Sequence, residues 1–193
     1  MNLPNQLTML RLVLTMVFVT VTALPFPWVD SAGLVLFIIA SITDYLDGYI
    51  ARKYGLVTTF GKLMDPLADK ILMCAAFVLI ACKGFIPGWA VVVILSREFL
   101  VTGLRLIATA QGAILAADSL GKLKTILQIT TAIYFLLVLA SQEVLLSFVQ
   151  PLFSFHVLSP GILGLGLVIL TVGVTVLSGW RYFWGNRALI KDA

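Results

Sequence analysis

The chain has 193 residues, of which 61% are hydrophobic and 11% charged, with a mean hydropathy of +1.08. That balance excludes an ordinary soluble domain and predicts an all-α, polytopic membrane protein with one membrane domain over residues 1–193. The formal net charge of +4 sits in short loops and at helix ends, which fits an anionic lipid surface and phosphate ligands rather than nucleic acid.

Residues 1–7, MNLPNQL, are short and polar. Pro4 can occupy a first helical turn, and the stretch reads as a short N-terminal interfacial segment. Asn5 and Thr8 are candidate caps for the first span, at about 8–24. The N-terminus lacks a charged n-region and a small-residue cleavage site, so this apolar run is expected to stay as a span. The turn PFPWVD follows, with two prolines that cannot continue a helix and a tryptophan suited to the interface. The second span is expected at about 31–54, and a glycine-containing connection at 55–64. The third span starts near 61–65, where Pro66 suits a first turn, and ends near residue 82. The turn KGFIPGW leads to the fourth span at about 89–109, which carries Arg97, Glu98 and Arg105. Arg97 and Glu98 point about 100° apart and need not pair with each other. Lys122 and Lys124 open the fifth span, where they could be snorkelling anchors. A loop with Glu143 and His156 precedes the sixth span at about 160–184. Its glycines, Gly161, Gly164, Gly166 and Gly173, permit close helix contact. Cys74 and Cys82 fall in one apolar run and read as core filler.

The chemistry concentrates in residues 44–69, DYLDGYIARKYGLVTTFGKLMDPLAD. Asp44 and Asp47 are three apart, and Asp65 and Asp69 four apart, so each pair shares a helix face. Four carboxylates in a membrane segment need compensation. Hard divalent cations supply it, because they take several carboxylate oxygens and leave room for phosphate. Lys62 and Lys70 flank the second pair and can balance charge or meet phosphate. Two cations can clamp a pyrophosphate and neutralise charge that develops in phosphoryl transfer. Separately, Arg105, Lys122, Lys124 and Arg181 could converge on one side as a cationic pocket, which would favour an acceptor carrying its own phosphate.

Asp44, Asp47, Gly48, Ala51, Arg52, Gly61, Asp65 and Asp69 form D-x2-D-G-x2-A-R-x8-G-x3-D-x3-D. This pattern resembles the complete signature of the CDP-alcohol phosphatidyltransferase family, integral membrane enzymes that transfer a phosphate-bearing group from a CDP-linked donor to an alcohol and release CMP. The resemblance implies two divalent cations, Mg²⁺ or Mn²⁺, held by Asp44, Asp47, Asp65 and Asp69. It implies that Asp69 is also the base that deprotonates the attacking hydroxyl. Gly48 would let the nucleotide approach the backbone, Arg52 and Thr58 would touch the CDP part, and Ala51 and Gly61 would leave room for ligand or helix packing. The stretches NLPNQLTMLR, SREFLVTGLRL and GKLKTILQ resemble the phosphatidylglycerophosphate synthases of that family. That likeness implies CDP-diacylglycerol as donor, with Asn5 and Thr8 near its nucleotide, and sn-glycerol 3-phosphate as acceptor. Family members often form homodimers, and one is expected here among the membrane lipids.

Six spans would put both termini on one side. Most of the basic residues fall near that face, with Lys83 at the other, so the positive-inside rule places the aspartates at the cytoplasmic face of the cell membrane. Two other readings compete. A relative using phosphatidylglycerol, inositol or serine as acceptor would share the signature, which reads only the CDP part. A divalent-cation transporter would also need intramembrane aspartates, but it calls for sites across the bilayer or an internal repeat, and the second half carries no matching acidic pair.

Overall fold

A computed structural model describes residues 3–54, 59–110, 119–154 and 161–187, and among them every regular element is helical. The long helices are α1 (Leu3–Thr22), α2 (Val29–Tyr54), α3 (Thr59–Cys82), α4 (Gly88–Ala110) and α5 (Ser119–Ser141). A 3-10 turn (Val144–Val149) then runs into the short helix α6 (Gln150–Ser154), and α7 (Leu163–Gly185) closes the chain. Two boundaries differ from the sequence reading. The predicted interfacial segment is not separate from Leu3 onward: it is the first turn of α1, where Pro4 has no intrahelical hydrogen bond to lose. The loop before the last long helix contains the 3-10 turn and α6.

The bundle is apolar outside and partly polar inside. Met16, Val92, Leu100, Ile126, Ile169 and Leu177 lie on its outer faces, each more than half exposed, whereas Thr8, Arg11, Gln128, Thr131, Thr171 and Ser178 are buried between helices. Water would favour the reverse distribution. Lipid tolerates it, because helices in a bilayer associate through close packing and interhelical hydrogen bonds. One such bond joins the hydroxyls of Thr131 on α5 and Thr171 on α7 at 2.8 Å. Thr15, Thr43 and Thr102 each donate to the carbonyl four residues back, which satisfies the hydroxyl within its own helix. Among the described residues, α5 and α7 are long and apolar enough to cross a membrane on that criterion alone. Helix α4 is as long, but Arg97, Glu98 and Arg105 interrupt it.

Phe18, Phe37, Phe77 and Phe135, all fully or almost fully buried, centre the apolar core on α1, α2, α3 and α5. The glycines of the last span serve different ends. A Cβ on Gly164 would come within 3.0 Å of the Phe135 ring, whereas one on Gly166 or Gly173 would meet nothing within 4 Å. The closest approach involves Gly179 instead, where a Cβ would stand 2.8 Å from Cγ of Arg97. In the α3–α4 turn, Gly84 has φ +82°, a left-handed conformation that glycine adopts without steric cost.

One end of the bundle is tied by charge. Glu143, just beyond α5, accepts hydrogen bonds from the backbone N–H groups of Asp30 (2.7 Å) and Ser31 (2.8 Å) and from the Ser31 hydroxyl (2.5 Å). It therefore caps the first turn of α2 from another helix and complements the positive end of that helix dipole. Lys83, just beyond α3, reaches both carboxylate oxygens of Asp30 at 2.9 and 3.0 Å. The start of α2 and the ends of α3 and α5 thus meet here. The opposite ends of the same three helices carry the aspartates, Lys122 and Lys124. Replacing Glu143 with alanine leaves the α2 donors without this acceptor. We expect a loss of about 2 kcal/mol, the scale of hydrogen bonds to a charged group, read as a lower unfolding midpoint in detergent.

Candidate active site

The aspartate pairs lie at matched depths. Asp44 and Asp47 precede Tyr54, the last residue of α2, by ten and seven positions, and Asp65 and Asp69 follow Thr59, the first residue of α3, by six and ten. At about 1.5 Å per residue these are roughly 15 and 10 Å from one end and 9 and 15 Å from the other. A four-residue connection separates the two ends, so the pairs sit at similar levels on consecutive helices. The backbone is helical at all four positions, and so it is at Asn5, Gly48, Ala51, Arg52 and Gly61. The side chains of Asn5, Ala51, Arg52, Asp47, Asp65 and Asp69 lie outside the described part of the structure, and Thr58 lies outside the described residues altogether.

Asp44 is described. Its Oδ1 accepts an ion pair from Arg11 of α1 at 2.8 Å; the arginine is fully buried and the aspartate is 46% exposed. Arg11 was not singled out in the sequence, although a lone arginine in an apolar span calls for an acidic partner. The pair holds α1 against the signature and orients one carboxylate, leaving its exposed part available. All-carboxylate donors suit hard cations such as Mg²⁺ or Mn²⁺. Among the described residues no group of three potential ligands stands together, because three of the four aspartate side chains fall outside them. Thr8 is one helical turn before Arg11 and fully buried.

The predicted cationic pocket is present for three of its four members. Arg105, Lys122 and Lys124 line a cavity of about 240 Å³ between α4 and the start of α5. Lys70 from α3, Arg97 from α4 and Tyr182 from α7 complete its walls. Arg181 is exposed and does not line it; the adjacent Tyr182 points to this side in its place, since neighbours on a helix diverge by about 100°. Lys70 directly follows Asp69 in α3, so the cavity borders the helix that carries the second aspartate pair.

Glu98 is the described carboxylate in this cavity. It is 8% exposed, and Lys124 is 5% exposed. Oε1 of Glu98 lies 2.5 Å from Lys124 Nζ, 3.3 Å from Arg97 Nη1 and 3.4 Å from Gln128 Nε2, and its Oε2 lies 3.4 Å from Lys70 Nζ. Arg97 and Glu98 therefore do touch, although each also faces other helices. Lys124 is not a snorkelling anchor: it points inward on the same face as Gln128, four residues on. Five cationic side chains, Lys70, Arg97, Arg105, Lys122 and Lys124, surround one carboxylate. The described lining thus carries a formal surplus of four positive charges, with Lys124 buried and Arg105 and Lys122 exposed, a favourable field for a phosphate dianion. On its outer side Arg97 also borders an apolar groove of about 390 Å³ between α4 and α7, lined by Leu100, Trp180 and Phe183 among others.

The sequence reading placed Lys70 beside the second aspartate pair as a charge balance or phosphate contact, but missed Arg11, Arg97, Glu98 and Tyr182 as site residues. A legible signal exists for the last: Thr171, Thr175, Ser178 and Tyr182 recur at helical spacing in an otherwise apolar span, and all four are buried.

Comparison with known proteins bears on the family. Residues 1–177 match the family described as CDP-alcohol phosphatidyltransferase. The chain is 42% identical to the CDP-diacylglycerol–glycerol-3-phosphate 3-phosphatidyltransferase of Bacillus subtilis (strain 168), with 100% of this chain and 98% of the relative covered. It is 35% identical to the Rickettsia bellii protein of the same name, over 94% of this chain and 93% of the relative. It is 43% identical to a probable phosphatidylglycerophosphate synthase of Mycobacterium tuberculosis, over 66% of this chain and 62% of that protein. With its signature, its all-helical fold and these matches along its length, the chain belongs to the CDP-alcohol phosphatidyltransferase family.

Proposed function

We propose that this protein is an integral membrane enzyme that transfers the phosphatidyl group of CDP-diacylglycerol to sn-glycerol 3-phosphate, giving phosphatidylglycerophosphate and CMP. The observation that carries the acceptor assignment is the cavity bordered by α3, α4, α5 and α7, where five cations outnumber one carboxylate among the described lining residues. Such a pocket selects an alcohol that bears its own phosphate and disfavours neutral inositol or zwitterionic serine. The names of the relatives point to the same reaction.

In this reading six helices span the cell membrane as a homodimer, with the aspartate end facing the cytoplasm. Asp44, Asp47, Asp65 and Asp69 hold two divalent cations, which when bound supply charge neutralisation along the donor pyrophosphate. Arg11 orients Asp44. Gly48, Ala51, Arg52, Thr58 and Gly61, with Asn5 and Thr8 from α1, receive the CDP part. Arg105, Lys122 and Lys124 hold the acceptor phosphate, with Lys70 and Arg97 adding charge around it. Arg181, exposed beside the cavity, serves as an outer attractor for the acceptor. The primary hydroxyl of the acceptor attacks the phosphorus that carries diacylglycerol. The bond from that phosphorus to the bridging oxygen breaks, CMP departs, and Asp69 takes the hydroxyl proton. Against a cation-transport role, the oxygens of Glu98, the described carboxylate within α4, are engaged by Lys70, Arg97, Lys124 and Gln128.

The direct test is CMP release by the purified protein with CDP-diacylglycerol and Mg²⁺ or Mn²⁺, offering glycerol 3-phosphate, phosphatidylglycerol, inositol or serine separately. Release is expected with glycerol 3-phosphate; release with another acceptor alone would overturn the acceptor assignment. Asp69→Asn should lower turnover by about 10²–10⁴-fold, the usual contribution of a positioned base, while the protein still purifies as a folded species. Arg105→Ala should raise the acceptor KM by about tenfold or more, the scale of one charged hydrogen bond. It should leave the donor KM nearly unchanged; equal effects on both would indicate general packing.

A further inference from the structure

Two buried polar atoms on residues that line the cationic cavity have no hydrogen-bond partner: Nε of Arg97 and the hydroxyl of Tyr182. Tyr182 is 94% buried, being 6% exposed. A buried hydroxyl without a partner is costly, and such groups in folded proteins usually have a reason.

The chemistry of the other lining groups narrows what that hydroxyl can serve. Lysine and arginine side chains only donate hydrogen bonds. They match phosphate oxygens, which accept, and the cavity has five of them. A carbon-bound hydroxyl differs, because it satisfies its own hydrogen only against an acceptor. Glu98 could accept, but Lys124, Arg97, Gln128 and Lys70 already occupy its oxygens. Thr102 and Thr125 line the cavity too, with their hydroxyls committed to the backbone carbonyls of Glu98 and Gly121. Tyr182 is the described lining group with an uncommitted hydroxyl that both donates and accepts.

We propose that the Tyr182 hydroxyl recognises the secondary hydroxyl of the acceptor, making Tyr182 a positioning and specificity residue for the reaction. The inference rests on the proposed acceptor. Cations seize the phosphate, and a single point of attachment lets the rest of a small molecule rotate. A second contact at C2 fixes the direction of the chain and aims the primary hydroxyl at the donor phosphorus, the kind of orientation that lowers the barrier without new chemistry. A site built to bond a substrate hydroxyl also rejects an analogue that lacks it.

The experiment compares sn-glycerol 3-phosphate with 3-hydroxypropyl phosphate, which lacks the secondary hydroxyl. The full chain and its Tyr182→Phe variant are assayed by CMP release with CDP-diacylglycerol and Mg²⁺. The parent protein should prefer glycerol 3-phosphate by about tenfold or more in kcat/KM, the scale of one hydrogen bond. Tyr182→Phe should bring the two acceptors within about twofold of each other and leave the donor KM unchanged. Its unfolding temperature should not fall, because the hydroxyl makes no hydrogen bond within the fold. A Tyr182→Phe variant that keeps the full preference overturns the inference, whatever its overall rate, and so does a parent protein that shows no preference. Parent activity on glycerol 3-phosphate in the same assay reports separately on the acceptor: its absence would overturn the proposed function together with the inference, whereas an unchanged preference overturns the inference alone.

Discussion

A charge inside an apolar helix bundle must be paired, and Glu98 shows how the pairing builds a site. It is nearly fully buried, and water does not offset its desolvation. Lys124, Arg97 and Lys70 do so from three different helices. Burying a carboxylate with a single cation would be marginal, since desolvation of two ions rivals their attraction. With several cations the balance reverses: the carboxylate holds the basic groups together, yet cannot neutralise them all. The remaining positive charge attracts an anion from outside. The same side chain thus ties α3, α4 and α5 together and leaves the described cavity lining with a formal surplus of positive charge.

The two ends of the bundle divide structure from chemistry. At one end Glu143 and Lys83 join the start of α2 to the ends of α3 and α5 through short charged contacts. Those bonds are local and saturated. At the other end of the same helices, the side chains of Asp44, Lys122 and Lys124 face neighbours or open space with charge to spare. Helix α7 contributes differently. The absence of a Cβ at Gly179 lets Arg97 lie directly against it, and one turn on, Tyr182 reaches the cavity. Of the polar stripe of α7, Tyr182 is the member that lines the cavity.

Much of this was legible in the residues. The all-helical class follows from long apolar runs broken by proline and glycine. The spacing of Asp44, Asp47, Asp65 and Asp69 places two carboxylate pairs on helix faces, because the helical period is local and depends on no distant contact. The basic character of Arg105, Lys122 and Lys124 suggested a shared cationic pocket, and the three line one cavity. The first helix begins at Leu3 rather than near residue 8, because a polar composition does not show whether a helix continues through it; Pro4 fits the first turn as readily as a loop.

What the sequence determined by itself is therefore periodic and short-range: the helices, the faces their aspartates share, and the family signature. The tertiary structure alone decided which charges meet. Lys124 reads equally as an anchor or a buried partner until α4 brings Glu98 to it across twenty-six residues. Arg181 and Tyr182 are neighbours, and only the packing of α7 against α4 and α5 selects the tyrosine for the cavity. Pairing across helices depends on crossing geometry and on the rotation of each helix about its axis, and hydrophobic spacing leaves that rotation loosely specified in a span that is apolar nearly all round.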